Sequence, residues 1–176
     1  MDVSLPRTTA RLILRRPTAG DVASVFAIYG DPETNHYNPA GPLADIRHAT
    51  TTLERWMTHW DEHGFGQWAI AIGEAPDAVI GFGGITLYHY NEVQRINLGY
   101  RFAVSAWGKG YATELARAAL EYGFVELNLP QVYGLVRPAH EASINVLEKI
   151  GMHRFGELDD VPGQAPSLVY RATRPL

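Results

Sequence analysis

The sequence predicts an α/β fold: a single domain on a mixed, mostly antiparallel sheet with about four helices. Three observations carry this. The chain has 176 residues, close to one ordinary domain and long enough to bury a core without staples. Hydrophobic residues make up 46% and charged residues 19%, a globular balance that excludes a disordered chain. Segments with helical and strand periodicity then follow one another in the order βααβββαβαββ.

Arg11 to Arg16 reads as a first strand, ended by Pro17. Thr18 with Asp21 three residues later forms a capping-box-like start, and Val22, Val25, Phe26 and Tyr29 give the following helix one buried stripe. Asp31-Pro32 stops it, and the turn-rich run from Asn35 to Pro42 is an irregular loop. A second helix covers about Asp45 to His63, with Ile46, Ala49, Leu53, Trp56, Met57 and Trp60 inward and Gly64 as its C-terminal cap. Period two then takes over. Trp68, Ile70 and Ile72 mark one strand, Glu74-Ala75-Pro76-Asp77 a turn, and Val79–Tyr88 and about Gln94–Val104 an antiparallel pair turning near Asn91. Ser105 to Tyr111 leads into a third helix, about Ala112 to Leu127, followed by a strand at Gln131–Val136. A fourth helix, about Glu141 to Ile150, is capped by Gly151, and strands at Met152–Glu157 and Leu168–Ala172 flank a Pro/Gly loop.

Charge and composition narrow the function. Fifteen Lys and Arg against nineteen Asp and Glu leave a net charge of −4, which argues against a general nucleic-acid binder. With no cysteine, disulfides, thiolate nucleophiles and Cys-based zinc sites are excluded. No run approaches the ~18 apolar residues of a membrane span, and Met1–Arg7 lacks a signal core or a myristoylation glycine, so a cytoplasmic protein without membrane partners is expected.

Gly108 and Gly110 are the sharpest chemical signal. They lie between a strand and a helix, where bare backbone N–H groups and the positive end of the helix dipole hold anions. The loop is neither a Walker A motif nor a dinucleotide fingerprint: no Gly-Lys-[Ser/Thr] is correctly spaced, and Thr113 takes the third glycine's place.

Around these glycines, Trp107-Gly108-Lys109-Gly110-Tyr111-Ala112-Thr113-Glu114, Pro138-Ala139-His140-Glu141-Ala142-Ser143 and Leu147-Glu148-Lys149-Ile150-Gly151-Met152 resemble the GNAT acyl-CoA-dependent N-acetyltransferases. Within them the nearest likeness is to the ribosomal-protein N-terminal (alanine/serine) acetyltransferases, whose strands are also similar to Ile96-Asn97-Leu98-Gly99-Tyr100 and Thr9–Arg15 here. The resemblance implies a GNAT-like domain over residues 1–176, its sheet opened by a central V-shaped splay between the strands at about 94–104 and 131–136. It implies acetyl-CoA as acyl donor and no metal. Backbone groups of Phe102, Ala103 and Val104 would pair with the pantetheine arm, and Trp107 with the amides of Gly108, Lys109, Gly110, Tyr111, Ala112 and Thr113 would form the pyrophosphate loop. The partners are then acetyl-CoA and a primary amine, foremost a protein or peptide N-terminus, attacked directly in a ternary complex by a monomer or homodimer. A small-molecule amine acetyltransferase (antibiotic or polyamine) and a non-catalytic acyl-CoA sensor are the alternatives.

Three positions depart from the family pattern. His140 replaces the usual asparagine, where it would touch the cofactor. Leu147 replaces the tyrosine that many of these enzymes use to protonate the thiolate, which makes Ser143, one turn earlier on the same face, the candidate donor. Asn97 replaces a common glutamate, so the base position is empty, and Glu92, beside Tyr88 and Tyr90, or His89 through water, is the candidate substitute. Each has a plainer reading: Ser143 as a helix-start residue, Glu92 as a solvated hairpin carboxylate. His59 and His63 stand four apart on a helix, a metal spacing without a third ligand.

Overall fold

The computed structural model describes residues 5–175. Its strands are β1 (Arg7–Thr8), β2 (Leu12–Arg15), β3 (Gln67–Ile72), β4 (Ala75–Tyr90), β5 (Val93–Phe102), β6 (Gln131–Val136), β7 (His153–Leu158) and β8 (Ser167–Thr173). The α-helices are α1 (Val22–Tyr29), α2 (Ile46–His63), α3 (Tyr111–Glu121) and α4 (Glu141–Lys149). The strands form one sheet in the order β1-β2-β3-β4-β5-β6-β8-β7. Every neighbouring pair is antiparallel except β5 and β6, which run parallel and meet only at Asn97 with Tyr133 and Leu98 with Gly134. Beyond that contact β5 continues through Gly99–Phe102 while β6 stays with β8, so the sheet parts in a V.

Apolar stripes place the helices on both faces. Val25 and Ile28 of α1 and Ala49 and Leu53 of α2 pack on Ala69 and Phe82. On the other face Leu115, Ala116 and Ala119 of α3 and Leu147 of α4 pack with Ile70, Ile85, Leu98, Phe102 and Val132. At Gly83, an added Cβ would lie 2.5 Å from Leu115 Cδ2 and 2.7 Å from Tyr100 Cβ. A bare backbone there lets α3 sit down on β4 and β5 beside the parting.

Most boundaries follow the sequence, and the exceptions have local causes. The β3–β4 turn is tighter than Glu74–Asp77 suggests, because Ile72 already pairs with Ala75. The register then slips before Val79 pairs with Ala71, and Pro76, which has no N–H to offer, falls in that irregular stretch. The third helix leaves α geometry after Glu121 and finishes as a π turn over Tyr122–Glu126. β1 was not legible as a strand; its two residues pair with Leu14 and Ile13.

Asp21 anchors the entry to α1. It is 5% exposed, accepts hydrogen bonds from Arg15 at 2.8 and 2.7 Å and from the Thr18 N–H at 2.8 Å. Burial alone would raise its pKa, but the bonds from Arg15 and Thr18 outweigh this and hold it below the usual carboxylate value. Its contribution to stability is therefore complete above the unfolded-state pKa and lost as pH falls through the lowered folded value. Asp21→Asn is expected to cost about 2 kcal/mol at pH 7, and the difference from wild type should shrink in acid denaturation melts.

Candidate active site

The parting exposes one edge of β5. The Ala103 N–H donates to the Ile80 carbonyl at 2.8 Å, which fixes the antiparallel alternation. Arg101 therefore also faces β4, while Tyr100 and Phe102 turn their backbone edges toward the V. The Phe102 carbonyl accepts the Trp107 indole N–H at 3.0 Å, leaving its amide for a ligand. Ala103 and Val104 fit the expected strand-like pairing less well. The Ala103 carbonyl accepts from Ala106 at 2.9 Å and the Val104 carbonyl from Trp107 at 3.0 Å, both closing a short 3-10 turn. The usable edge thus centres on Tyr100 and Phe102.

That edge leads into the glycine loop. Gly108 and Gly110 have φ of +71° and +80°, and Gly110 is the N-cap of α3. The first amide to close a helical bond is Glu114, onto the Gly110 carbonyl at 3.1 Å. The N–H groups of Gly108, Lys109, Gly110, Tyr111, Ala112 and Thr113 have no hydrogen-bond partner among the described residues. Such a run of bare donors at a helix start suits a pyrophosphate. Side chains fix the loop from behind. Arg11 donates to the Lys109 carbonyl at 2.8 Å and to Glu114 at 2.7 Å, with its guanidinium 4.6 Å over the Tyr111 ring. Lys109 Nζ donates to the Ser105 carbonyl at 2.9 Å. Beside the loop a cavity of about 680 Å³ carries Arg7, Arg11, Arg117 and Lys149 on its walls together with Glu114 and Glu121.

On the α3/α4 side of the V, Tyr100 Oη and Ser143 Oγ lie 2.9 Å apart and tie β5 to α4. Burial pushes the Tyr100 phenol up to about 12, partly opposed by the Ser143 bond. Two hydroxyls sharing one hydrogen bond leave one proton for a ligand. Tyr100 was not singled out by sequence reasoning; the period-two face it shares with Leu98 and Phe102 was its only signal. Leu147 is 3% exposed and belongs to the core.

The opposite side is the mouth. His140, at the N-terminus of α4, stacks on Tyr37 of the α1–α2 loop with ring centroids 4.2 Å apart, and His36 meets Tyr37 edge-on. Its ring therefore packs on the α1–α2 loop. Burial, with Arg101 and His36 nearby, lowers the His140 pKa. A cavity of about 580 Å³ opens here, lined by His36, Tyr37, Asn38, Arg137 and Gln164 among others, with no carboxylate on its walls. Asn97, at the foot of the V, accepts the Tyr90 hydroxyl at 2.5 Å. Burial raises the Tyr90 pKa, so that hydroxyl is no base. Glu92 occupies the exposed β4–β5 turn, eight residues from Tyr100, or roughly 26 Å of extended strand. The fold does not bring it to the V.

His59 settles its own question. Its Nδ1 faces the Phe65 carbonyl at 2.8 Å and its Nε2 accepts the Leu87 N–H at 3.0 Å, so both nitrogens are taken by backbone. Burial lowers its pKa, as a neutral ring in that bridge requires. Among the described residues no group of three His, Asp or Glu side chains is gathered for a metal ion, and no helix is long and apolar enough to cross a membrane.

A parted sheet whose free edge runs into a bare helix N-terminus is suited to an extended, phosphate-bearing ligand. Residues 11–153 match the acetyltransferase (GNAT) domain, and the chain belongs to that family. It is an acyltransferase of the N-acetyltransferase type, and the family's donor is acetyl-CoA. The chain is 33% identical over 154 residues to the uncharacterized protein YkkB of Bacillus subtilis, covering 87% of this chain and 88% of that one. An acetyltransferase from Agrobacterium tumefaciens has a similar structure, with a TM-score of 0.80, 27% identity and coverage of 97% and 95%. The same fold occurs in a ribosomal-protein alanine acetyltransferase from Vibrio fischeri, with a TM-score of 0.72, 15% identity and 97% of each chain covered. It occurs too in the Vibrio cholerae spermidine N-acetyltransferase solved with CoA and spermine, with a TM-score of 0.76, 19% identity and coverage of 94% and 97%.

Proposed function

We propose that this chain acetylates the α-amine at a protein or peptide N-terminus, in the cytoplasm and within one domain, by direct attack in a ternary complex. The observation that carries the reading is the mouth: its walls bear His36 and Arg137 and no carboxylate, and the neighbouring Asp160 is engaged by Arg137 at 3.8 Å. A polyamine, carrying several positive charges, needs acidic partners there, so the resemblance in fold to a spermidine enzyme does not transfer its substrate. Asn97 also leaves the foot of the V without a carboxylate base, which suits an amine already largely neutral.

Acetyl-CoA, when bound, supplies a thioester carbonyl open to a nucleophile. The amides from Gly108 to Thr113, without protein partners of their own among the described residues, would hold its pyrophosphate. Arg117 and Lys149 would meet the remaining phosphate, since Arg7 and Arg11 already pair with Glu126 and Glu114. The Tyr100 and Phe102 amide edge is placed to hold the pantetheine arm as an added strand. Tyr100 and Ser143 together keep one hydroxyl proton to direct at the departing sulfur. This pair also weighs against a pure sensor, which has no use for a buried proton donor. General acids contribute typically 10²–10⁴-fold, and a thiolate leaves readily, so Tyr100→Phe is expected to lower kcat by about tenfold or somewhat more. Ser143→Ala should have a smaller effect in the same direction, with acetyl-CoA affinity unchanged in both. Thiol release measured across a panel of N-terminal peptides, polyamines and aminoglycosides tests the whole reading; turnover of polyamines alone would overturn it.

A further inference from the structure

Arg101 is a half-buried cation that the fold supports but does not neutralise. It lies on β5 within the parted stretch, on the face opposite Tyr100 and Phe102. Its Nη1 donates to Asn35 Oδ1, and its guanidinium carbon sits 4.6 Å over the Tyr29 ring. Burial lowers its pKa, and only the Tyr29 phenol, no carboxylate, opposes that loss. Among the described residues no carboxylate lies within ion-pair distance of it, whereas Arg7, Arg11, Arg15 and Arg16 each have one.

The surroundings are built to hold this cation in place. Asn35 is 5% exposed, and its Nδ2 donates to the Tyr29 and Asp31 carbonyls, both at 2.8 Å. Those bonds orient Oδ1 toward Arg101, and Asn38 Nδ2 donates to the same oxygen at 2.9 Å. Burial, then Arg101 and His36, disfavour charge on the neighbouring His140 ring. One face of the guanidinium is covered and one nitrogen is tied, while the other donors have no protein partner among the described residues. A partly desolvated guanidinium without a counter-ion is costly to the free protein, and a ligand carboxylate supplies two parallel acceptors for its fork.

We infer that Arg101 receives a carboxylate carried by one of the two reactants on the mouth side of the V. The inference rests on the acetyltransferase reading and adds its specificity. The carboxylate has two possible sources. It belongs either to the acceptor, as an acidic side chain close behind the reacting α-amine, or to the far end of a dicarboxylic acyl chain on CoA. In either case Arg101 is a specificity residue, and the bond-making steps are those already described.

Matched substrates separate the sources. Peptides beginning Ser-Asp-Glu and Ser-Asn-Gln, with acetyl-CoA, form one arm; succinyl-CoA and butyryl-CoA, with the neutral peptide, form the other. Wild type is expected to favour the carboxylate member of one pair in kcat/KM by about tenfold or more. Arg101→Gln should erase that preference while acetyl-CoA affinity, read by calorimetry, stays intact. Arg101→Lys, which keeps the charge and loses the fork, should retain part of it and serves if the glutamine variant fails to fold. Absence of a carboxylate preference in both arms, or a preference unchanged in a folded Arg101 variant, would overturn the inference. No thiol release with any amine or donor, despite tight acetyl-CoA binding, would instead remove the acetyltransferase reading beneath it.

Discussion

Gly110→Val is expected to weaken acetyl-CoA binding by at least about tenfold, or 1.4 kcal/mol, in a protein that still folds. Two effects converge on this residue. Gly110 holds φ at +80°, a conformation a β-branched residue rarely adopts, and it is the cap from which the bare amides of α3 fan out. An added Cβ would also stand 3.4 Å from Arg11 Nη2, and Arg11 is the side chain that fixes the loop through the Lys109 carbonyl. Relieving the strain therefore moves the amides that are proposed to hold the pyrophosphate. Gly64→Val separates this from general destabilisation. Gly64 has nearly the same φ, +74°, with nothing within 4 Å of its missing Cβ, but it caps α2 far from the loop in sequence. It should lower the melting temperature and leave acetyl-CoA affinity alone. Calorimetry on both variants decides the matter; equal affinity in a folded Gly110→Val protein would take the loop out of the cofactor site.

The glycine loop was legible because its chemistry is local. A backbone anion site needs only a strand, two glycines and a helix start, all within a few residues. The α2 helix was legible for the same reason: its apolar stripe is bracketed by Asp45, which accepts the His48 N–H at 3.0 Å, and by Gly64 in the left-handed conformation. The hydroxyl pair and the mouth were not. Tyr100 and Ser143 are 43 residues apart, and Arg101 and Asn35 are 66 apart. No periodicity reports which helix start will face which strand position. Tyr100 instead read as part of a strand's core face. Glu92 erred in the opposite way, since closeness in sequence to Tyr90 suggested a shared cleft, while the hairpin turn carries it to the far end of β5. His140 was placed by its family position alone, and its stack on Tyr37 depends on the α1–α2 loop folding back over α4. Single-residue chemistry survives in sequence; pairings across the sheet do not.

The same mouth geometry sets a preference between amines. The nucleophile must be neutral to attack. At pH 7 an α-amine of reference pKa about 7.7–8.0 is roughly a tenth or more neutral, whereas a lysine amine near 10.4 is neutral in only about four molecules in ten thousand. The difference is about three-hundredfold in reactive species. An enzyme offsets it by placing a carboxylate beside the amine, but the foot of the V offers Asn97, its oxygen already taken by Tyr90. Arg101 on the mouth side works against a protonated amine, so the site favours the neutral form without removing the proton itself. Peptides matched in sequence, one with a blocked N-terminus and a free lysine and one with the reverse, should therefore differ in kcat/KM by about a hundredfold or more at pH 7. The gap should narrow toward pH 9, because the α-amine is then fully neutral while the lysine fraction still rises tenfold for each pH unit. A lysine preference at pH 7, or a gap that does not change with pH, would mean that a base elsewhere in the cleft removes the proton, and Asp160, 3.8 Å from Arg137 on the β7–β8 loop, is then the carboxylate to replace first.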